Sequence, residues 1–322
     1  MQELAPATRS AAPPAVFPEG ALDAILGLSP WRNWEDEQAL IHGAPRTHAA
    51  TRAYLIEDVR LSSGFLYKKS GIADVGRGDR SLWGPGGVTA LLDEAHMVSC
   101  YAGSKFFGTF LIDSLPLEML PPDGSHAIAV PTRAYHHEPG YRALFDLPAP
   151  PVVDQARIRR LTFYEDFGQN PGKVARYARL RARLLARLGD TPASPPRGVY
   201  LKRGASGERR ILANEAALED RLTRLGFDIV EPERLDADEI ARRTLNAPVV
   251  VSVEGSHISH VIYTMARDGA LIVLQPPDRF AMAYKETTDE IGIRFGFAVG
   301  APAPDGFTVD PDTVDRLIGR MA

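Results

Sequence analysis

The stretch VVVSVEGSHISHVIYTMARDGALIVL, residues 249–274, decides the fold class of this chain. It opens with an apolar run at 249–253 and closes with a second apolar run at 270–274. The residues between these runs predict a helix over 256–267. Two apolar strands joined by a helix form a βαβ unit, whose strands are parallel and buried on both faces. The sequence therefore predicts an α/β fold for this half of the chain.

The residues before this stretch repeat the same alternation. Strands are predicted at 199–202 and 228–230, with a helix at 214–225 between them. Asp236 and Glu239 have the spacing of a capping box and predict the start of a further helix. Parallel sheets bind ligands at the carboxyl ends of their strands. We therefore predict a nucleotide-binding, Rossmann-like domain over 199–305, followed by a C-terminal helix at 306–322.

The first half of the chain has less regular patterning. Two β-rich runs around a Ser-Ser-Gly turn predict a hairpin over 52–69, and apolar residues at helical spacing predict a helix that ends before Pro116. Nine basic residues fall between Arg157 and Arg187, and an apolar stripe predicts an amphipathic helix at 172–189. The predicted segments are a flexible N-terminal arm at 1–20, an N-terminal α/β domain at 21–170, and a basic helix with a Pro-rich linker at 171–198.

Composition excludes several classes of protein. The chain has 322 residues and a formal net charge of −4, which is too little positive charge for bulk nucleic-acid binding. Its single cysteine, Cys100, excludes an internal disulfide and a cysteine-rich metal site. The sequence has neither an apolar run of about 18 residues nor the apolar core of a secretion signal near its start. We therefore predict a cytoplasmic protein, whose basic helix either contacts anionic lipid at the membrane surface or is simply solvated.

A basic loop, YLKRGASGERR at 200–210, follows the first predicted strand of the second domain. Its glycines allow close backbone approach to a ligand, and guanidinium groups match phosphate oxygens in bidentate pairs. The loop lies at the ligand-binding edge of the sheet, which favours an anion site; the alternative is a solvated basic loop. The candidate residues are Lys202, Arg203, Arg209 and Arg210, with Gly204 and Gly207.

A second loop, Glu254-Gly-Ser-His257, joins the most apolar strand to the next predicted helix. Ser256 is placed to cap that helix, whose free N–H groups favour an anion. Glu254 is placed at the strand end, where it can accept hydrogen bonds from sugar or ribose hydroxyls. The alternative is that Glu254 and Ser256 only cap the helix. Neither loop has the glycine spacing of a dinucleotide-binding or P-loop motif.

Asp113 is a carboxylate in an otherwise apolar predicted helix. Burying it unpaired would be costly, so this side chain needs a partner or lines a cleft. In a cleft it would serve as a general base; otherwise it would only cap or brace a neighbouring loop. His136 and His137 are consecutive and cannot bind one ion by themselves, and no acidic cluster accompanies them. They are candidates for the mouth of the first domain, and no metal site is predicted.

Five segments occur in an order that is typical of one enzyme family. They are FGTFLIDSLP at 107–116, LKRGASGERRILANE at 201–215, GFDIVEP at 226–232, VVVSVEGS at 249–256 and LQPP at 274–277. In this order they resemble the G-H-W-L-L-[DE]-x-L-P, R-x(n)-R-R-x-x-x-N-E, G-F-x-v-x-P, v-v-x-x-[HE]-G-[AS] and strand-end motifs of glycosyltransferase family 61. The resemblance runs from about Arg52 to Gly300, most of the chain, and it rests on the order and spacing of the motifs together.

The resemblance implies a GT-B-like fold, in which two Rossmann-like domains face each other across a cleft. It also implies inverting transfer of a sugar without a metal ion, from a nucleotide-diphosphate donor such as a UDP-sugar. No cofactor is implied besides this donor, which is a substrate. Thr109 stands where many members have His, and Glu254 stands where eukaryotic members commonly have His.

The resemblance also assigns roles to residues of this chain. The arginines of the first loop would face the donor phosphates, and residues of the second loop would hold the diphosphate or the ribose. The implied site comprises Asp113 and Arg203 as catalytic residues, Lys202, Arg209, Arg210, Asn214, Glu254, Gly255, Ser256 and His257 as donor-binding residues, and Thr109, His136 and His137 on the acceptor side.

The sequence thus predicts a glycosyltransferase that acts on a bacterial surface polysaccharide, such as capsule, with a glycan or lipid-linked glycan as its acceptor. One alternative is a non-catalytic module on the same fold that binds a sugar nucleotide or a glycan. Another is a phosphate-ester hydrolase or phosphotransferase, which would need Mg²⁺ and more acidic ligands than this chain offers.

Overall fold

A computed structural model describes residues 1–76, 87–189, 196–204 and 208–322 of the chain. These residues form two compact units. The first unit comprises residues 1–8 and 47–187, and the second unit comprises residues 9–46 and 188–322. The predicted linker lies largely outside the described residues.

Strands and helices are numbered in chain order over the described residues. The strands are β1 (Gln2–Ala5), β2 (Thr8–Ser10), β3 (Arg46–His48), β4 (Thr51–Ser62), β5 (Phe65–Lys68), β6 (Gly71–Asp74), β7 (Ala90–Met97), β8 (Ala127–Ile128), β9 (Gln155–Glu165), β10 (Gly198–Leu201), β11 (Phe227–Val230), β12 (Val249–Val253), β13 (Ala270–Gln275), β14 (Arg294–Val299), β15 (Ala301–Ala303) and β16 (Gly306–Thr308). The α-helices are α1 (Trp34–His42), α2 (Tyr101–Lys105), α3 (Phe107–Thr109), α4 (Leu115–Leu117), α5 (Glu138–Phe145), α6 (Pro171–Leu188), α7 (Glu215–Arg224), α8 (Ala237–Thr244), α9 (Ser259–Ile262), α10 (Lys285–Glu290) and α11 (Pro311–Met321). A π-helical segment covers Phe110–Ser114, and 3₁₀ turns cover Pro232–Arg234 and Ser256–Ile258.

The second unit is built on a five-stranded parallel sheet in the order β11-β10-β12-β13-β14. Every residue of β12 and β13 is buried, as the apolar runs at 249–253 and 270–274 predict. The predicted parallel sheet is therefore confirmed. On one face of the sheet, Ile272 and Leu274 belong to a core that includes Val314 and Leu317 of α11. The Asp236 carboxylate accepts a hydrogen bond from the Glu239 N–H at 2.8 Å, so the predicted helix start is also confirmed.

The helix predicted over 256–267 is wrong in its length. Helical structure ends at Ile262, where α9 ends. The Ala266 N–H donates to Ala247 O at 3.1 Å instead of continuing the helix, and the Arg267 guanidinium donates to Ile262 O at 2.9 Å. The bond to Ala247 is a tertiary contact, which a local pattern cannot reveal, and it takes the place of further helix at Ala266.

The N-terminal residues differ from the prediction of a flexible arm. Residues 2–5 form β1, which pairs with β4 in the first unit. In the second unit, Val16 exchanges backbone hydrogen bonds of 3.0 and 2.9 Å with Phe295 and Phe297 of β14. The predicted N-terminal domain includes residues 21–46, but these residues group with the second unit. Their contacts join positions more than 200 residues apart, which local composition cannot predict.

The same N-terminal stretch also packs against the loop that follows β13. The N–H groups of Leu26 and Gly27 both donate to Pro277 O, at 2.7 and 3.1 Å. The side chain of Glu37 is fully buried and accepts a hydrogen bond of 2.8 Å from the Met282 N–H. This loop of the second unit is therefore held by residues from the beginning of the chain.

The first unit has a mixed sheet with strand order β6-β5-β4-β9-β7-β8. Strand β1 pairs with residues 51–53, at the start of β4. The predicted hairpin is confirmed as β4 and β5, which are antiparallel and joined by a turn with positive φ at Ser63 and Gly64. The longest pairing, β4 with β9, is also antiparallel, whereas β7 runs parallel to both β9 and β8. The first unit is thus an α/β structure without the all-parallel sheet expected of a Rossmann-like domain. The GT-B arrangement of two facing domains stays a prediction.

Most of the basic residues between 157 and 187 have partners inside the first unit. On β9, three outward-facing arginines pair with Asp58, Asp93 and Glu94 of the neighbouring strands. On α6, Lys173 and Arg176 are buried. The predicted basic region therefore contributes mainly internal ion pairs. Within the described residues, every helix is too short or too polar to cross a bilayer.

Candidate functional site

Two loops of the second unit start side by side at one edge of the parallel sheet. Strands β10 and β12 are neighbours, and Leu201 at the end of β10 is paired with Ser252 near the end of β12. The chain leaves β10 toward β11 on one side and returns to β12 on the other. Such a reversal opens a crevice at the carboxyl ends of the strands, where open α/β sheets bind their ligands. The basic loop and the 254–257 loop both begin at this crevice.

Arg203, in the basic loop, contacts the 254–257 loop. Its Nη1 donates to Glu254 O at 3.2 Å, and its Nη2 donates to Glu208 O at 2.6 Å. A Cβ atom at Gly255 would overlap Arg203 Nη1, so the guanidinium rests directly on the glycine backbone. Burial lowers the pKa of Arg203, and the like charge of Arg210 lowers it further. The sequence predicts close approach of a ligand at Gly204 and Gly207 of the basic loop; the close approach seen here is instead that of Arg203 to Gly255.

Arg210 and Glu254 form a buried ion pair beside Arg203. Arg210 Nη1 lies 3.0 Å from Glu254 Oε2 and donates to Glu254 O at 3.3 Å. The Glu254 side chain is only 7% exposed. Burial raises the pKa of the Glu254 carboxyl, while Arg210, Arg203 and Arg279 act in the opposite direction. The site thus combines guanidinium groups, which bind anions, with a carboxylate, which accepts from hydroxyls.

His257 is neutral and has one free acceptor. Its Nε2 lies 2.7 Å from Ser252 Oγ, which itself donates to Leu201 O at 2.8 Å. The hydrogen bond from Ser252 to Leu201 O favours the tautomer in which Nε2 carries the imidazole proton and Nδ1 is the acceptor. Nδ1 is buried without a hydrogen-bond partner. Burial, reinforced by Arg203 and Arg210, holds the pKa of His257 well below its usual range.

Arg279 and Tyr284 also reach this site, although sequence reasoning did not identify them. Arg279 Nη1 forms an ion pair with the Glu208 carboxylate, and the Tyr284 hydroxyl donates to Gly255 O at 3.2 Å. Both residues follow β13, the next strand of the sheet after β12. The signal that could have found Arg279 is its position four residues beyond the end of that strand.

Three of the predicted donor-binding residues have other partners, and a fourth does not form its expected cap. Lys202 forms an ion pair of 2.7 Å with Glu219 of α7, and Arg209 is 71% exposed and 3.6 Å from Asp305. The Asn214 side chain makes two hydrogen bonds with the Val309 backbone, of 2.8 and 3.1 Å. The expected Ser256 cap is not formed, because Gly255 occupies the N-cap position. Gly207 lies outside the described residues.

Asp113 lies in the first unit, within the π-helical segment Phe110–Ser114. Its carboxylate pairs with Lys173, which is fully buried and also donates to Asp166 O at 3.0 Å. The Asp113 side chain is 28% exposed, so it has both a partner and access to solvent. The prediction that this carboxylate needs a partner is confirmed. π-Helical turns inside helices occur frequently at functional sites.

Of the acceptor-side candidates, Thr109 lies in α3, just before the π-helical segment of Asp113, and His137 packs against Phe107 of the same helix. Thr109 is half-buried and precedes Asp113 by four residues, about one helical turn. The ring centroid of His137 lies 6.0 Å from that of Phe107 and 4.9 Å from that of the exposed His136. Among the described residues, no group of three or more His, Cys, Asp and Glu side chains could hold a metal ion.

The parallel sheet defines the second unit as an α/β domain, and a cluster of arginines, a carboxylate and a neutral histidine lies at the carboxyl ends of its strands. The model of the family described as Glycosyltransferase 61 matches residues 107–273, about half of the chain. The chain therefore belongs to glycosyltransferase family 61, as the sequence motifs indicate, and the match includes Asp113 and both loops of the site. A comparison with curated proteins finds no similar sequence.

Proposed function

We propose that this glycosyltransferase transfers a sugar, with inversion, from a nucleoside-diphosphate donor to a hydroxyl of a bacterial surface polysaccharide. The donor is proposed to be a UDP-sugar, and the reaction to proceed without a metal ion in the cytoplasm. The observation that carries the proposal is the convergence of Arg203 and Arg210 on Glu254 at the switch point of the parallel sheet. Family membership adds a nucleotide-sugar donor and a glycan acceptor in general terms.

The arginines would stabilise the leaving group. As the bond between the anomeric carbon and the phosphate oxygen breaks, negative charge grows on the departing diphosphate. Arg203 and Arg210 are held in place by the carbonyl of Glu254 and can meet this charge without rearrangement. A preorganised donor of this kind contributes about 2.7–4 kcal/mol to transition-state stabilisation. This supports charge neutralisation by side chains.

Glu254 and His257 would recognise hydroxyl groups of the donor. The Glu254 carboxylate accepts hydrogen bonds, and the unpartnered His257 Nδ1 is a second acceptor in the same loop. A ribose carries two vicinal hydroxyl groups, which are donors that match these acceptors. Their position beside the arginines supports a ligand that carries hydroxyls and phosphates together.

Asp113 would act as the general base. The acceptor hydroxyl would transfer its proton to the Asp113 carboxylate while its oxygen forms the new bond to the anomeric carbon. The nucleoside diphosphate then leaves with the electrons of the broken bond. Lys173 holds the carboxylate from its buried side, and the exposed part of the Asp113 side chain is available to an acceptor. A positioned base contributes about 10²–10⁴-fold to rate.

The test is a thermal-shift screen of nucleotide sugars, followed by measurement of nucleoside-diphosphate release with an acceptor glycan in the presence of EDTA. Turnover that persists with EDTA supports the proposal. UDP binding without turnover of any donor would identify a binding module instead. Activity that is lost on chelation and restored by Mg²⁺ would contradict the metal-independent mechanism.

A further inference from the structure

Glu208 contacts all three arginines of the site. Its carboxylate Oε2 pairs with Arg279 Nη1 and accepts from Arg210 Nη2 at 3.3 Å. Its backbone carbonyl accepts from Arg203 Nη2 at 2.6 Å. The Glu208 side chain is 60% exposed, whereas the Arg210 side chain is only 10% exposed. An exposed carboxylate thus sits on guanidinium groups that are largely buried below it.

The arginines have more hydrogen-bond donors than this carboxylate satisfies. Arg210 Nε and Arg279 Nε are both buried and have no hydrogen-bond partner. A guanidinium carries five N–H donors in a planar fork, and a single carboxylate oxygen shared between two such groups leaves part of each fork unused. A terminal phosphate offers three oxygens and pairs with arginine in the same bidentate geometry. These unused donors favour a ligand with more acceptor oxygens than Glu208.

The charge of the cluster leads to the same conclusion. Among the described residues at this site, Arg203, Arg210 and Arg279 oppose two carboxylates, those of Glu208 and Glu254. With Glu208 in place the cluster has a net charge of about +1, and without it about +2. Only Glu208 can leave easily, because Glu254 is buried at the strand end. A cluster of +2 matches the charge of a diphosphate better than one of +1.

We infer that Glu208 occupies the place of a ligand phosphate, and that a phosphate group of the donor binds between Arg210 and Arg279 when the Glu208 side chain turns out to solvent. Arg279 is thereby assigned as a phosphate-binding residue. That the phosphate belongs to a nucleoside diphosphate rests on the proposed function. The opposite role, in which Glu208 permanently orients the arginines and assists anion binding, predicts the reverse effect of its removal.

The test measures binding of inorganic pyrophosphate by titration calorimetry in the presence of EDTA, with wild type, Glu208→Gln, Arg279→Ala and Glu219→Gln. Glu208→Gln retains the shape of the side chain and is expected to bind pyrophosphate about tenfold more tightly than wild type. Arg279→Ala is expected to bind about tenfold more weakly. Glu219→Gln is the matched control, because Glu219 pairs with Lys202 outside the cluster, and it should bind as wild type does.

Equal or weaker pyrophosphate binding by Glu208→Gln would overturn the inference, and so would the absence of binding to every variant. Melting temperatures of the four proteins establish that each one is folded. The same titrations with UDP separate this inference from the proposed function. If Glu208→Gln strengthens pyrophosphate binding but no nucleotide sugar binds or is turned over, the phosphate position stands and the proposed function fails.

Discussion

Gly255 supports Arg203 by having no side chain. The guanidinium of Arg203 occupies the space in which a Cβ of residue 255 would lie, and its Nη1 donates to the preceding carbonyl, Glu254 O, at 3.2 Å. The position of the arginine therefore depends on the identity of a residue 52 positions later in the chain. The two loops of the site are complementary in shape as well as in charge.

Replacing Gly255 with alanine should displace Arg203. The new methyl group would overlap Nη1, and the arginine would have to leave the Glu254 carbonyl. We expect at least a tenfold loss of UDP affinity, measured by titration calorimetry. Gly319→Ala is the control, since nothing lies within 4 Å of its added Cβ in helix α11. That change should leave UDP affinity unchanged and stabilise the protein by about 0.5–1 kcal/mol. Unaltered UDP binding by Gly255→Ala would show that the contact has no role in the site.

Arg203→Ala and Arg209→Ala should differ strongly, although both remove an arginine from one loop. Arg203 faces Glu254 and Gly255, whereas Arg209 is 71% exposed. We expect Arg203→Ala to lower kcat about 10²–10³-fold, since it removes a preorganised donor to the leaving group. Arg209→Ala should lower it less than twofold. Nucleoside-diphosphate release measures both rates, and similar rates for the two variants would refute the assignment of Arg203.

Asp113→Asn should abolish transfer and leave UDP binding intact. The amide cannot accept the acceptor's proton, so we expect kcat to fall at least 10²-fold. The amide oxygen can still accept from Lys173, which also has Asp166 O as a partner, so the loss of stability should stay below about 2 kcal/mol. Asp93→Asn, at a side chain 89% exposed in the same unit, provides the control. A variant that loses stability and UDP binding together would identify Asp113 as a structural residue.

The neutral His257 should make the protein less stable in acid. Burial holds its pKa well below the usual value of about 6.5, so below that pH the unfolded chain binds a proton that the folded chain does not. Stability therefore falls as pH decreases through about 6.5, by at most about 1.4 kcal/mol per unit. His257→Gln removes this contribution, while the lowered pKa of His96 remains in both proteins.

The measurement is urea unfolding of wild type and His257→Gln at pH 7.5 and pH 5. We expect the free energy of unfolding of wild type, relative to that of His257→Gln, to fall by about 2 kcal/mol between pH 7.5 and pH 5. A difference that does not change with pH would mean that the pKa of His257 is the same in the folded and the unfolded chain. In that case Nδ1 would be protonated below about pH 6.5 and could not serve there as a hydrogen-bond acceptor.

The sequence predicts the second unit well because its strands are buried on both faces. Continuous apolar runs such as 249–253 mark such strands regardless of their neighbours, and loops at strand ends follow from them. Arg203, Arg210 and Glu254 could be found in this way. Lys202 could not be distinguished from Arg203 as a site residue. Adjacent side chains point in opposite directions, and the sequence alone does not show which of the two faces the site.

The first unit is less predictable because distant pairings determine it. Strand β9 has the alternation of a half-buried strand, with Ala156 and Ile158 inward and Arg157 outward. Its basic residues obscured this pattern. The carboxylates that pair with them lie on the neighbouring strands β4 and β7, which are distant in the sequence. Arg279 was missed for a related reason, since its role depends on Glu208 in another loop.

The pairing of Val16 with β14 determines when the second unit can fold during translation. A ribosome releases residue 16 long before residues 295–297, which supply its hydrogen-bond partners. At about 5–20 residues per second, this segment waits roughly 10–60 s for them. During translation the apolar side chains of this segment are exposed to chaperones and proteases, and the second unit can close only after β14 has been synthesised.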